Sequence, residues 1–198
     1  HQIYTDPNFY NDIMWWKKDD IQFWQNIIKN TKSEKILELC CGTGRIGLPL
    51  IESGIDYYGI DSSSSFVDYF HTQVSKQNYD TSKIICDDIK NFNFNQSFDL
   101  IFIGFNSLAH LLTNQDLLES LKSIQLHMNS KTIFAIDIFV PDVSFLYRDN
   151  KEQYNIMDFI HSKTNEQLNI LESINYNSLT EINCINWDFV DQNNISKF

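Results

Sequence analysis

Basic residues are scarce: 15 lysines and arginines stand against 26 aspartates and glutamates, giving a formal net charge of −11 at pH 7 and a pI near 4.7. No run of lysine or arginine interrupts that excess. Phosphate backbones and anionic lipid surfaces would meet an unfavourable field, so the expected partner is a small molecule or a protein, with no nucleic acid and no membrane. No apolar stretch reaches the roughly 18 to 20 residues that a membrane span needs, and no secretory signal pattern opens the chain. Cysteine is sparse too. Cys40, Cys41, Cys86 and Cys184 contain no Cys-x-x-Cys spacing and have no histidine pair to complete a zinc set, so no metal is expected. Adjacent Cys40 and Cys41 lie in an apolar run and read as small core residues, which suits a reducing cytoplasm. Prolines number three and glycines six, so glycines that cluster carry information. What is plentiful is apolar: 42% hydrophobic and 14% aromatic residues in 198 are enough to bury a sizeable core.

The opening stretch, 4–30, is rich in aromatics. Phe23, Trp24, Ile27 and Ile28 recur at helical spacing and predict a helix packed by one face. Tyr10, Trp15 and Trp16 fit a lid over a substrate as well as they fit core packing. An apolar strand is predicted at 35–39, then a helix at 45–53 in which Pro49 falls early enough to be tolerated. A second strand at 56–60 ends in Asp61, and the serines 62–65 can cap a helix running to about residue 77. Strands at 83–86, 98–103 and 132–138, with a helix at 114–127, continue the alternation. Strands separated by helices imply an α/β fold, Rossmann-like and doubly wound, with a mostly parallel sheet covered by helices on both faces. After Pro141 the segments 153–161, 167–175 and 179–190 show partial period-two alternation and predict a small antiparallel accessory sheet. The expected division is therefore a sheet domain at 1–140, with an N-terminal helical lid, and a flap at 141–198.

Chemistry concentrates in E-L-C-C-G-T-G-R-I-G, residues 38–47, which sets Gly42, Gly44 and Gly47 between a strand and a helix. A glycine lets the backbone turn tightly and lets a ligand approach main-chain atoms. Asp61, about 20 residues on at the end of the second strand, is placed to accept from both hydroxyls of a ribose. Spacing alone supports an adenosine-type cofactor and fits a dinucleotide equally well.

As a set these motifs resemble the class I S-adenosylmethionine-dependent methyltransferases, within them the small bacterial enzymes that act on small molecules. K-I-L-E-L-C-C-G-T-G-R looks like the family's first motif, Y-Y-G-I-D-S-S the second, C-D-D-I-K-N-F the third and F-D-L-I-F-I-G-F-N-S-L-A-H-L the fourth. The resemblance implies S-adenosyl-L-methionine as cofactor and a small-molecule methyl acceptor. Glu38 would sit near the methionine ammonium, with Cys40, Gly42 and Gly44 against the cofactor and Asp61 and Ser62 at the ribose. Asp88 would accept from the adenine amino group, Asp87 being the competing assignment, and Ile89 would border the ring. Phe105 and Asn106 would stand beside the sulfonium, and Asn106, His110 and Tyr10 are the candidates to meet the nucleophile.

Other readings share these residues. A nicotinamide-linked oxidoreductase would use the glycine turn and Asp61, but a convincing Tyr-x-x-x-Lys pair is lacking. A degenerate module that binds S-adenosylmethionine without catalysis is the other alternative. The family usually continues past the flap with a helix and two closing strands, and here the chain stops at Phe198. Two alternatives follow: the sequence is a truncated piece, or the sheet is incomplete, in which case the missing edge leaves apolar surface that association into a homo-oligomer would relieve.

Overall fold

The computed structural model describes residues 2–197. The described residues divide into two compact units, one formed by 2–7 with 17–139 and the other by 8–16 with 140–197.

The first unit holds a five-stranded, all-parallel sheet in the order β3-β2-β1-β4-β5. Its strands are β1 (Lys35–Leu39), β2 (Asp56–Asp61), β3 (Ile84–Cys86), β4 (Leu100–Ile103) and β5 (Ile133–Ile136). The helices between and before them are α2 (Asp19–Thr31), α3 (Gly47–Glu52), α4 (Ser64–Ser75) and α5 (Asn114–Leu126). This is the doubly wound α/β architecture expected from the alternation of apolar runs. Two cores cover the two faces. Ile36 packs with Trp24, Tyr57, Phe70 and Phe102 on one side, while Leu37 and Leu39 pack with Ile60, Phe92, Phe98 and Ile103 on the other. Central strands buried on both sides are largely apolar on both faces, which is why L-I-F-I is unbroken and K-I-L-E-L is interrupted only by Glu38 among its buried positions.

Local corrections have physical reasons. The helix expected at 45–53 is shortened to Gly47–Glu52, because residues 40–46 form the turn that the glycines allow. Ser63 stands at the N-cap of α4, yet its side chain makes no cap bond; its Oγ donates to the Tyr4 carbonyl instead. β5 is an edge strand. Ile133 and Ile136 are 39% and 40% exposed, whereas all four residues of β4 beside it are buried.

The second unit is an antiparallel sheet, β6 (Tyr154–His161), β7 (Glu166–Asn177) and β8 (Ile182–Val190), with the short helices α1 (Pro7–Ile13) and α6 (Val143–Leu146). The strand expected from 179 begins only at Ile182. Asn177 Oδ1 accepts from the Leu179 and Thr180 N–H groups, and Glu181 takes a positive φ, which closes a turn there. Phe9 of α1 packs against Phe159, His161 and Phe189 at centroid distances of 4.9–5.8 Å, so residues 8–16 group with these strands rather than with the parallel sheet. Trp15 and Trp16 are exposed.

Candidate functional site

In an open parallel sheet the carboxyl ends of the strands leave a crevice where the winding direction reverses, here between β1 and β4. Three non-glycine residues there hold positive φ: Cys40 after β1 (φ 60°), and Phe105 and Asn106 after β4 (φ 49° and 63°). Such conformations persist only where the surroundings impose them, and they cluster at ligand sites.

The turn after β1 is fastened to the end of β2. The Cys41 N–H donates to the Ile60 carbonyl at 2.8 Å, and the Gly42 N–H donates to Asp61 Oδ2 at 2.8 Å. The other oxygen of Asp61 accepts from the Ser63 N–H at 2.9 Å. Burial raises the Asp61 carboxyl above its ordinary range; the Ser63 and Gly42 N–H groups and the His110 ring oppose that rise. A carboxylate has about four lone-pair sites and two are used here, so both oxygens retain capacity for a vicinal diol.

The three glycines serve different ends. Gly42 needs glycine for its φ of +58°, and an added Cβ would meet only Phe66, at 3.8 Å, so its main chain is open to a ligand. A Cβ on Gly44 or Gly47 would instead collide with the chain's own rings, Phe70 and Tyr57. Two of the three therefore make room for packing under the turn.

Glu38 is buried on the Ile36 side of the sheet, and the Tyr57 hydroxyl donates to its Oε2 at 2.6 Å. Burial pushes its carboxyl up to about 8, opposed by the Tyr57 bond and by Arg45. The same dry surroundings push the Cys40 thiol up to about 12, with Asp61, Glu38 and Asp88 adding to the rise, so Cys40 is an unreactive wall group.

Arg45 and Asp20 are functional neighbours that sequence reasoning missed. The Arg45 guanidinium forms a two-pronged pair with buried Asp20 of α2, at 2.6 and 2.8 Å, and also donates to the Lys17 carbonyl. It lies 5.1 Å from the centroid of the Phe105 ring, with Lys17 Nζ at 5.5 Å. Asp20 was legible only as the second of two acids in the first turn of a helix. Nothing local tied it to an arginine 25 positions away.

After β4 the Phe105 N–H donates to Asp137 Oδ2, the Asn106 N–H to the Asp137 carbonyl, and Asn106 Oδ1 accepts from the Phe139 N–H. The Asn106 oxygen thus holds the loop, and among the described residues its amide nitrogen has no partner. His110 is exposed in the turn Ser107–His110. It meets Tyr4 edge to face at 5.4 Å, with Tyr4 Oη and His110 Nε2 3.4 Å apart. Tyr4 is a third missed neighbour, and burial followed by Asp61 raises its phenol.

After β3, the Asp87 N–H donates to the Asp61 carbonyl, and Asp87 Oδ1 accepts from the Asp88 N–H. Asp88 is exposed and accepts from the Lys90 N–H, while Ile89 is buried in the second core. Ser62 is exposed, and its carbonyl faces Cys86 Sγ at 3.7 Å. The structure therefore brings Glu38, Cys40, Gly42, Gly44, Asp61, Ser62, Asp87–Ile89, Phe105, Asn106 and His110 to one end of one sheet. Tyr10 lies on α1, in the other unit.

Tyr79 and Lys83 do have oxidoreductase-like spacing, but they are engaged at the opposite end of β2. Tyr79 Oη donates to the Tyr57 carbonyl, and Lys83 pairs with Asp56 at 2.7 Å. Among the described residues no group of three or more His, Cys, Asp or Glu could hold a metal, and no helix is long and apolar enough to cross a membrane.

Comparison with known proteins agrees with this geometry. Residues 36–131 match the methyltransferase domain family. YqeM of Bacillus subtilis, provisionally named a methyltransferase, is 29% identical over 150 residues, 70% of this chain; the chain spans 60% of that relative's length. A Clostridium acetobutylicum S-adenosylmethionine-dependent methyltransferase superposes with a TM-score of 0.72 at 19% identity, covering 92% of this chain and 72% of that one. CalS10 of Micromonospora echinaspora, an amino pentose methyltransferase solved with S-adenosylmethionine bound, gives 0.68 at 12% identity, covering 91% and 72%. Sheet order, glycine turn and strand-end aspartate agree with these matches: residues 36–131 match a methyltransferase domain, and the chain has the fold of S-adenosylmethionine-dependent methyltransferases.

Proposed function

We propose that the protein transfers the methyl group of S-adenosylmethionine to a nitrogen or oxygen nucleophile of a small molecule. The observation that carries this reading is the Gly42 N–H to Asp61 bond, which joins an open glycine backbone to a strand-end carboxylate that keeps acceptor capacity. These residues fit the cofactor: Asp61 for the ribose hydroxyls, Gly42 for main-chain approach, Asp88 and Ile89 for the adenine, and Glu38 for the cationic methionyl end. Bound there, S-adenosylmethionine supplies a methyl group on a positively charged sulfur, already activated for displacement. The task left to the chain is geometric: to hold a neutral nucleophile about 3 Å from the methyl, in line with sulfur, and to keep water out. The amide nitrogen of Asn106 is suited to orient an acceptor lone pair, and Phe105, roofed by Arg45 and Lys17, to shield the reacting centre. His110 contacts Tyr4 and acts electrostatically on Asp61, which favours a role on the cofactor side over one as general base. The small-molecule acceptor is supported by neighbours such as the amino pentose enzyme and by the chain's acidic charge.

Calorimetric titration with S-adenosylhomocysteine and NAD tests the reading. Binding of S-adenosylhomocysteine is expected, weakened by Asp61→Ala by about 1–3 kcal/mol as the ribose hydroxyls and the Gly42 N–H lose their acceptor. Binding of NAD with no response to S-adenosylhomocysteine would refute it.

A further inference from the structure

The inner face of the β6-β7-β8 sheet changes character along its length. Around Phe159, Leu168, Ile170 and Phe189 it is apolar and buried, with Phe9 against it. Next to that, strand register sets Tyr154, Glu172 and Trp187 in one row across the three strands. Glu172 alternates with Leu168, Ile170 and Ile174 on β7, so its carboxylate faces inward, and the residue is only 6% exposed. An inward carboxylate costs several kcal/mol of desolvation unless a cation and hydrogen bonds offset it.

The chain supplies both. Trp187 Nε1 donates to Oε2 at 3.0 Å, and Arg148 Nη1 lies 3.3 Å from Oε1. The guanidinium also rests over two rings, 4.7 Å from the Tyr154 centroid and 4.9 Å from Phe145. This is a cation site built of a carboxylate and aromatic faces, occupied by the chain's own arginine. The hold is loose. The bond to Glu172 exceeds the 2.7–2.9 Å of a tight charge-assisted contact, and the Arg148 side chain is 32% exposed.

Two rows further along the same face, Asn183 pairs in register with Tyr176, against which Tyr147 packs edge-on at 5.5 Å. Asn183 Oδ1 is buried and has no donor among the described residues. Between the rows Ile185 is 48% exposed, so this part of the face is not closed over. Four residues of strand separate Trp187 from Asn183, roughly 13 Å. The unit as a whole carries ten acidic and four basic residues, six of the chain's eleven net negative charges, a field that draws cations.

We propose that this strip binds an organic cation: a small molecule whose protonated amine displaces the Arg148 guanidinium from Glu172 and the rings, and whose donor group further along bonds Asn183 Oδ1. The cation site lies within the second unit and stands without the methyl-transfer reading above.

The probe is glucosamine hydrochloride, with glucose as the neutral control. The readout is the Trp187 indole N–H resonance in 15N-labelled protein, assigned by its absence in Trp187→Phe. A saturable shift with glucosamine and none with glucose is expected. Arg148→Ala should tighten glucosamine about tenfold, as expected when an internal competitor occupies the site nine-tenths of the time, and Glu172→Gln should remove the response. If Glu172→Gln does not fold, Asn183→Leu serves instead and should weaken glucosamine measurably. No saturable shift in wild type and Arg148→Ala, or an unchanged affinity in Glu172→Gln or Asn183→Leu, overturns the proposal. Titration of the same sample with S-adenosylhomocysteine separates the two ideas: binding of it without a glucosamine response sinks the cation site alone, and the converse sinks only the methyl-transfer reading.

Discussion

Each sheet buries one glutamate on an inner face, and the two are satisfied in opposite ways. Glu38, in the parallel sheet, has the Tyr57 hydroxyl at 2.6 Å, and the nearby arginine, Arg45, is committed to Asp20. Burial therefore dominates and holds its proton up to about pH 8. Glu172, in the antiparallel sheet, faces a guanidinium and an indole N–H. One carboxyl is neutralised by a proton and the other by a cation. A group of the first kind responds to pH and to the arrival of a positive ligand, and a group of the second kind responds to a competing cation.

The largest expected effect tests the first half of that contrast. Glu38 titrates near 4.5 in the unfolded chain and near 8 in the folded one. Its contribution to stability is thus fully present below pH 4.5 and is lost as pH rises through 8, by at most about 1.4 kcal/mol per unit. Denaturant melts of wild type and Glu38→Gln between pH 5 and 9 should show the wild type losing stability relative to the variant up to pH 8 and running parallel above it. Parallel curves throughout would mean that Glu38 is ionised in the folded protein.

Next in size is the packing that keeps Glu38 dry. Gly44→Ala drives a Cβ into Phe70, the ring that packs edge-on to Tyr57, at a residue with φ +84°. Overpacking adds about 1–3 kcal/mol to the cost of the backbone conformation. Gly54 has the same φ and nothing within 4 Å of an added Cβ, so Gly54→Ala should cost only the backbone part, about 1 kcal/mol. Equal losses in thermal melts of the two variants would remove the Phe70 argument.

The smallest effect belongs to Glu172. Removing the partly exposed Arg148 should lower stability by about 1–2 kcal/mol, because Trp187 still donates and water can reach the carboxylate. The loss should shrink when sodium chloride in the buffer is replaced by guanidinium chloride at a few tens of millimolar, far below denaturing levels. A loss indifferent to the cation would mean that Arg148 acts through packing.

Much of the parallel-sheet unit was legible before any coordinates. Unbroken apolar runs between helical segments imply a buried parallel sheet, and the glycine turn followed by Asp61 marks where a ligand would meet it. The Gly42 to Asp61 bond was not legible, because the sequence suggested a ligand for that carboxylate and gave no sign that it also ties down the turn. Likewise Gly44 was expected against the cofactor, while the collision of an added Cβ there with Phe70 depends on a ring 26 residues away. The antiparallel strands were recognisable by alternation, but Glu172 broke it only as one polar residue on an apolar face, a signal too slight to separate from a solvent-facing position.

By itself, then, the sequence determined the order of the elements, their apolar faces and the end of the sheet at which its chemistry gathers, since these follow from local periodicity and turn chemistry. Tertiary structure decided which carboxyl keeps a proton and which meets a cation. Both outcomes depend on how completely water is excluded and on which distant side chain arrives to replace it, as Tyr57 does for Glu38 and Arg148 for Glu172.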